Sequence, residues 1–268
     1  MIDRGKRSVI GVLVDSVDYE AAVDRVIAAA HDRRPYAVSA LAVHGVMTGV
    51  QNAEHRHRLN QLDMIVPDGM PVRWAINWLY RDSLPDRVYG PTLTLKVCTR
   101  AAEEVLPVYL YGSTPAVIEK LSANLVDRFP SLQIAGASPS MFRQTTGEEM
   151  QQIAERIQQS GAAITFVGLG CPRQEVFVYE YRNLLNMPLL AVGAAFDFHA
   201  GTLAQAPPTM QRMGLEWFFR LVKEPKRLWR RYLFLNPAYL SLLALQLTGL
   251  HKFDTASTIP PTGQMRYG

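Results

Sequence analysis

The chain has 268 residues, 48% hydrophobic and 19% charged, which allows a fully buried core and excludes a disordered polyelectrolyte. Its two cysteines, Cys98 and Cys171, lie too far apart in sequence for a disulfide framework or a cysteine-rich metal site, and suit a reducing compartment. The net charge of +4 is uneven: from Gly214 onward 8 Lys and Arg face 3 Asp and Glu, leaving about −1 for residues 1–213, so one segment and not the whole protein is built to face an anion.

The opening run MIDRGKRSVIGVLVD is interrupted by Gly11 and Asp15, too short for a secretory signal, and reads as a first strand over Val9–Val14. Further strands are predicted at Tyr36–Leu41, Met64–Val66, Val108–Tyr111, Leu132–Ala135, Ile164–Val167 and Leu189–Val192. Helices are predicted between them at Tyr19–Arg33, Pro71–Tyr80, Thr92–Glu104, Pro115–Arg128, Glu148–Ser160 and Gln174–Leu185. The strands are apolar on both faces, which marks a sheet covered on both sides. The expected fold is α/β, a Rossmann-like doubly wound and mostly parallel sheet with a C-terminal helical appendage.

After Val192 the β/α alternation stops. Gly193–Pro208 reads as a loop, followed by helices near Met210–Val222, Pro225–Leu235 and Pro237–Gly249. The organisation expected is a core over 1–208, an appendage over 209–251 and a tail without fixed structure over 252–268. No window reaches about 18 continuous apolar residues, so Ala238–Leu250 is read as an interfacial or buried helix and not a span. The appendage interleaves Arg220, Lys223, Lys226, Arg227, Arg230 and Arg231 with Trp217, Phe218, Leu221, Trp229 and Leu233. This combination fits a cytoplasmic protein lying peripherally on the cell membrane, and its exposed apolar surface admits a homo-oligomer.

Four strand ends carry chemistry-bearing residues, where ligands of such sheets bind. In Val66-Pro67-Asp68-Gly69-Met70-Pro71, Asp68 is either a helix N-cap or a carboxylate that accepts a proton from a hydroxyl. In Tyr111-Gly112-Ser113-Thr114, Gly112 lets a ligand approach the backbone, or is an ordinary βα turn. In Val167-Gly168-Leu169-Gly170-Cys171-Pro172-Arg173-Gln174-Glu175, a strand runs through two glycines into a helix whose amides attract phosphate. The third glycine of a dinucleotide fingerprint is missing there. Glu175 complements the helix dipole, and Cys171, with no base in view, is a small filler residue. In Gly193-Ala-Ala-Phe-Asp197-Phe-His199-Ala-Gly201, Asp197 contacts a substrate or caps a local turn, and His199 is structural. His55 and His57 lack a third metal ligand nearby. No Asp-x-Asp motif is present, so a bound diphosphate would be neutralised by helix amides and arginines, with Arg87 and the C-terminal arginines as candidates. Arg87 otherwise forms a surface ion pair with Asp86 or Asp82.

The ordered set resembles the WecB/TagA/CpsF family of glycosyltransferases (glycosyltransferase family 26). The motifs are Pro-Asp68-Gly-Met-Pro, Arg87-Val-Tyr-Gly90-Pro, Leu-Tyr-Gly112-Ser, Val-Gly168-Leu-Gly170-Cys-Pro-Arg-Gln174-Glu175, Gly193-Ala-Ala-Phe-Asp197-Phe-His-Ala-Gly201, Ala206-Pro207, and Gly214-Leu-Glu216-Trp217 through Glu-Pro225-Lys-Arg227, over roughly residues 8–235. The resemblance implies a metal-independent, inverting transferase without cofactor. It would move a sugar from a UDP-sugar donor to a sugar on a polyprenyl diphosphate at the membrane surface, in cell-surface or exopolysaccharide synthesis, with no nucleic-acid partner. It implies Asp68 as general base, Arg87 and Gln174 as pocket residues, and Arg220, Arg227 and Arg230 as appendage groups completing the site. Ser39, His44, Gly112, Gly168, Gly170 and Asp197 fall at its donor-binding positions. Where the family often has Thr-x-Asn, this chain has Ser39-Ala40-Leu41, and Gln205 and Thr209 replace its usual Arg and aromatic near Ala-Pro. N-acetylmannosamine, its uronic acid and glucose are donor sugars used in the family. The competing readings are a dinucleotide-dependent oxidoreductase and a non-enzymatic binder of anionic lipid or nucleic acid. With the appendage separable, removal of residues from Gly214 onward would leave a folded, soluble core.

Overall fold

The computed structural model describes residues 1–268 apart from Ser257 and the side chains of Arg227 and Arg231. In chain order the elements are β1 (Asp3–Val9), β2 (Val12–Val17), α1 (Tyr19–His31), β3 (Tyr36–Leu41), α2 (Val43–Gln51), α3 (Ala53–Asn60), β4 (Met64–Pro67), α4 (Met70–Tyr80), α5 (Gly90–Glu103), β5 (Val108–Gly112) and α6 (Pro115–Arg128). They continue as β6 (Ile134–Ser138), α7 (Gly147–Gln159), β7 (Ile164–Gly168), α8 (Arg173–Tyr181), β8 (Pro188–Ala191), α9 (Ala195–His199), α10 (Pro208–Arg212), α11 (Glu216–Lys223), α12 (Pro225–Arg230), a π-helical turn at Arg231–Leu235, and α13 (Asn236–Leu247).

Six strands form one sheet in the order β4-β3-β8-β7-β5-β6, and every pairing is parallel. Alternate side chains of each strand enter different cores, as the period of two requires. Ala37, Leu189 and Val167 pack with α2, α4, α7, α8 and α13 on one face. Val38, Leu190 and Phe166 pack with α1, α5, α6 and α9 on the other. The chain leaves β5 outward to β6 but leaves β7 inward to β8, so the loops after β5 and β7 diverge and open a crevice at the carboxyl edge.

The expected strand Val9–Val14 is two strands. Ile10 and Gly11, with φ of 52° and 82°, make a tight turn, and β1 and β2 form an antiparallel hairpin outside the main sheet. The hairpin docks at the β4 edge through Asp15, whose carboxylate accepts the Ile65 amide at 2.8 Å and Arg25 at 2.9 Å. Helices α2 and α3 and the short α9, inside the expected loop, are additions to the sequence-based assignment. The tail over 252–268, expected to lack structure, lies along the core in its described residues, 252–256 and 258–268: Asn60 Nδ2 donates to the Thr255 carbonyl at 3.4 Å, and Thr145 N–H donates to the Arg266 carbonyl at 3.0 Å. The appendage is also less separable than expected. Tyr239 and Leu243 of α13 are buried in the same core as β3 and α8, so a chain ending before Gly214 would expose that core. Among the described residues no helix is long and apolar enough to cross a membrane.

Candidate functional site

A cleft of about 990 Å³ opens over the carboxyl edge of the sheet, floored by strand ends and roofed by α11, α12 and the π-helical turn. His44, Asp68, Ser113, Gly168, Gly193 and Arg220 all line it, so residues more than a hundred positions apart converge there.

Asp68 follows β4, and its side chain does not cap the helix it precedes. Gly69 occupies the N-cap of α4, while Asp68 Oδ1 accepts the backbone amide of Gly90, the first residue of α5, at 2.6 Å. The carboxylate thus reaches across the crevice and holds the start of another helix. Burial pushes its pKa up to about 6, from an ordinary 3.8. Arg87, the Gly90 amide and Arg220 oppose the rise, and Glu216 adds to it. A carboxylate poised near neutrality, touching the cleft, can accept a proton from a hydroxyl.

Arg87 is not a surface residue. Its guanidinium donates to Glu216 Oε2 at 2.6 Å and lies 4.0 Å from the centroid of the Tyr89 ring. Tyr89 Oη donates to the other oxygen, Glu216 Oε1, at 2.7 Å. Two residues just before α5 thereby clamp one carboxylate of α11 and dock the roof on the core. Arg87 itself faces a smaller pocket of about 100 Å³ beside the main cleft, shared with Asp68, His44 and Arg220.

The end of β7 forms the floor. Gly168 lies against Phe196, whose ring a Cβ would meet at 2.5 Å. Gly170, at φ +76°, donates its amide to Gln174 Oε1 at 3.1 Å. Gln174 Nε2 donates to Glu175 Oε1 at 2.9 Å, and Ser39 Oγ donates to the same oxygen at 3.0 Å from beneath. Ser39 is therefore buried under the floor and does not open on the cleft. Glu175 does more than complement a helix dipole. It is fully buried, and burial raises its pKa against the hydrogen bonds from Gln174, Ser39 and Cys171.

Asp197, in α9, takes part in a local turn, its Oδ1 accepting Thr202 Oγ1 at 3.4 Å, and also borders the cleft. His199 ties α9 to the Pro91 carbonyl at 2.9 Å, a structural link. In the roof, Arg220 pairs with Glu224 at 3.7 Å and sits 5.8 Å from the Phe198 ring centroid, and its Nε is buried without a hydrogen-bond partner among the described residues. The helix breaks at Glu224, at φ −132° and ψ 55°, so Arg220 and Arg230 do not share one continuous helical face; both nevertheless line the cleft from either side of the break. The Arg227 side chain lies outside the described residues. Among those described, no three His, Cys, Asp or Glu side chains gather in a metal-holding group.

Residues 7–252 match the model of the glycosyl transferase WecG/TagA/CpsF family. The chain belongs to this family. The family is one of glycosyltransferases, and the strand-end motifs that converge in the cleft are the ones that carried the resemblance in the sequence.

Three residues of the transferase's cleft have roles that sequence alone did not reveal. Glu216 and Tyr89 stood in recognisable motifs, but their mutual contact spans 127 residues. Phe142, in the loop after β6, lines the cleft mouth at φ +56°, and no local pattern announces it. Gly112 is held where no other residue fits. Its φ is +122°, and a Cβ would stand 2.7 Å from the backbone of Gly168. Gly112→Ala is expected to destabilise the transferase by about 2–4 kcal/mol, measured by urea denaturation, because neither backbone can retreat from the sheet.

Proposed function

We propose that this glycosyltransferase moves a sugar from a UDP-linked donor to a hydroxyl of a sugar carried on a polyprenyl diphosphate, with inversion, at the inner face of the cell membrane. The observation that carries the reading is Asp68, a carboxylate with its pKa raised to about 6 in a cleft whose roof supplies arginines. The acceptor oxygen attacks the anomeric carbon while Asp68 takes its proton. The bond to the donor's phosphate oxygen breaks, and its electron pair leaves with UDP. The Gly168–Gly170 turn, the start of α8 and the roof arginines Arg220 and Arg230 stabilise the leaving diphosphate without a metal. Gln174 holds the glycine turn in shape, and His44, Gly193 and Asp197 border the donor.

The lipid end of the acceptor explains the outer surface of the roof. Trp217, Phe218, Val222, Trp229, Leu233 and Phe234 are exposed there beside basic residues, the composition of an interfacial helix. The donor sugar is one of N-acetylmannosamine, its uronic acid or glucose.

The deciding experiment supplies UDP-sugars together with a lipid diphosphate-linked acceptor analogue and follows UDP release. Release with one donor, dependent on acceptor, is the expected result. No release with any donor, with binding of NAD instead, would favour an oxidoreductase. A salt-sensitive shift of DNA without sugar transfer would favour a nucleic-acid binder.

A further inference from the structure

Residues 258–268 lie beyond the residues matched by the family model, yet they are pinned to the core at successive points. Thr258 Oγ1 lies 3.2 Å from His57 Nδ1. The Gly263 carbonyl accepts Arg58 Nη2 at 3.3 Å, and Arg58 is fully buried, with Glu180 of α8 at 3.5 Å on its other side. The chain then reaches the loop between β6 and α7, residues 139–146. Tyr267 forms an isolated antiparallel bridge with Gln144, and the Thr145 amide donates to Arg266. Gly268 is buried between Thr145, Met141 and Tyr111.

The last contact leads into the cleft. The Phe142 amide donates to Ser140 Oγ at 2.9 Å, and Ser140 Oγ donates to the Gly268 carbonyl at 2.7 Å. The Ser140 amide donates to the Ser113 carbonyl at 2.9 Å. Phe142 and Ser113 both line the cleft, so one residue, Ser140, connects the end of this segment to two cleft residues, to Phe142 through its hydroxyl and to Ser113 through its amide. Phe142 is in the left-handed region, where a non-glycine residue stays only when its surroundings over-determine it. The Gly268–Ser140–Phe142 chain provides that restraint.

We infer that residues 258–268 act as a strap that holds the 139–146 loop, and with it Phe142, in the shape that receives the donor nucleotide. This rests on the donor reading above, and Ser140 and Gly268 are positioning residues within it. An unstrapped loop must be ordered by the ligand, which lowers affinity.

The test uses two point variants that keep all 268 residues, so that the Arg58 anchor stays covered. Ser140→Ala removes the relay. Gly268→Val places a Cβ 2.4 Å from Thr145 Cγ2 and lifts the strap end from the loop. Amide hydrogen exchange across 139–146 is measured in the protein without ligand, UDP binding by calorimetry, and thermal midpoint as the control for general damage. In both variants the loop is expected to exchange at least about tenfold faster, and the UDP Kd to rise about tenfold, with the midpoint close to wild type. Unchanged exchange overturns the strap. Faster exchange with unchanged UDP affinity overturns its link to the donor site. A wild-type protein that does not bind UDP counts against the donor reading, while the exchange measurement still decides the strap.

Discussion

Asp68→Asn is expected to lower kcat/KM by about 10²–10⁴-fold, the range typical of a lost general base, while leaving the fold intact. Asn keeps an oxygen for the Gly90 amide, so the start of α5 stays held. The pH dependence distinguishes this from simple damage. With the Asp68 pKa raised to about 6, wild-type kcat/KM should climb as pH rises through that value and then level, and the climb should vanish in the variant. Stability should move the opposite way. A carboxyl whose folded pKa is raised above its ordinary 3.8 contributes stability below about pH 4 that is lost as pH rises through 6. Above pH 7 the Asn variant should therefore be more stable than wild type, by about 1–2 kcal/mol once solvent in the cleft is allowed for, and the difference should close below pH 4. Near-wild-type turnover by the variant would remove Asp68 from the mechanism.

Arg87→Met is expected to release the roof. It leaves the buried Glu216 carboxylate with only the Tyr89 hydroxyl, and breaking one side of a buried pair typically costs about 3–5 kcal/mol. The clamp joins the core to α11, so the loss should show first as protease cleavage between Ala206 and Glu224, ahead of global unfolding. Activity should fall by more than about tenfold, since Arg220 and Arg230 then leave the cleft. Changing Glu216 to Met as well should recover much of the protease resistance, because no charge is stranded. It should not recover full activity if the clamp also tunes Asp68, which feels both partners. Unaltered cleavage in Arg87→Met would show that the roof is held by α13 alone.

Much of this architecture could be read along the chain. Strands β3, β4, β5, β7 and β8 are continuous apolar runs, and runs of that kind belong to a buried parallel sheet. Their ends carry the glycines and Asp68, and topology alone brings such ends to one edge. What escaped was set by contacts distant in sequence. The hairpin was hidden because Val9-Ile10-Gly11-Val12 is as apolar as a strand interior, and Ile10 is not a residue that announces a left-handed turn. The contacts by which Tyr89 and Arg87 clamp Glu216, and by which Ser39 steadies Glu175 across 136 residues, have no local pattern to find. Residues 252–268 looked unstructured because Thr, Ser, Pro and Gly bury little apolar surface. Their order comes from backbone hydrogen bonds to side chains and loops of the core, to which a hydrophobicity pattern is blind.

The Ile10–Gly11 turn is held from far away. The Ile10 amide donates to Gln246 Oε1 at 2.8 Å across 236 residues, and Gln246 Nε2 donates back to the Ser8 carbonyl at 2.9 Å. The hairpin is thus fastened by a helix synthesised 236 residues after it. At synthesis speeds of about 5–20 residues per second, it waits on the order of ten seconds or more for its partner. During that interval β1 and β2 can pack on α2, α3 and α4, but the Ile10 amide and the Ser8 carbonyl lack the side chain that locks the turn. The hairpin must therefore remain unaggregated until α13 has been made, and a nascent chain stalled before Gln246 is expected to be a chaperone substrate rather than a folded intermediate.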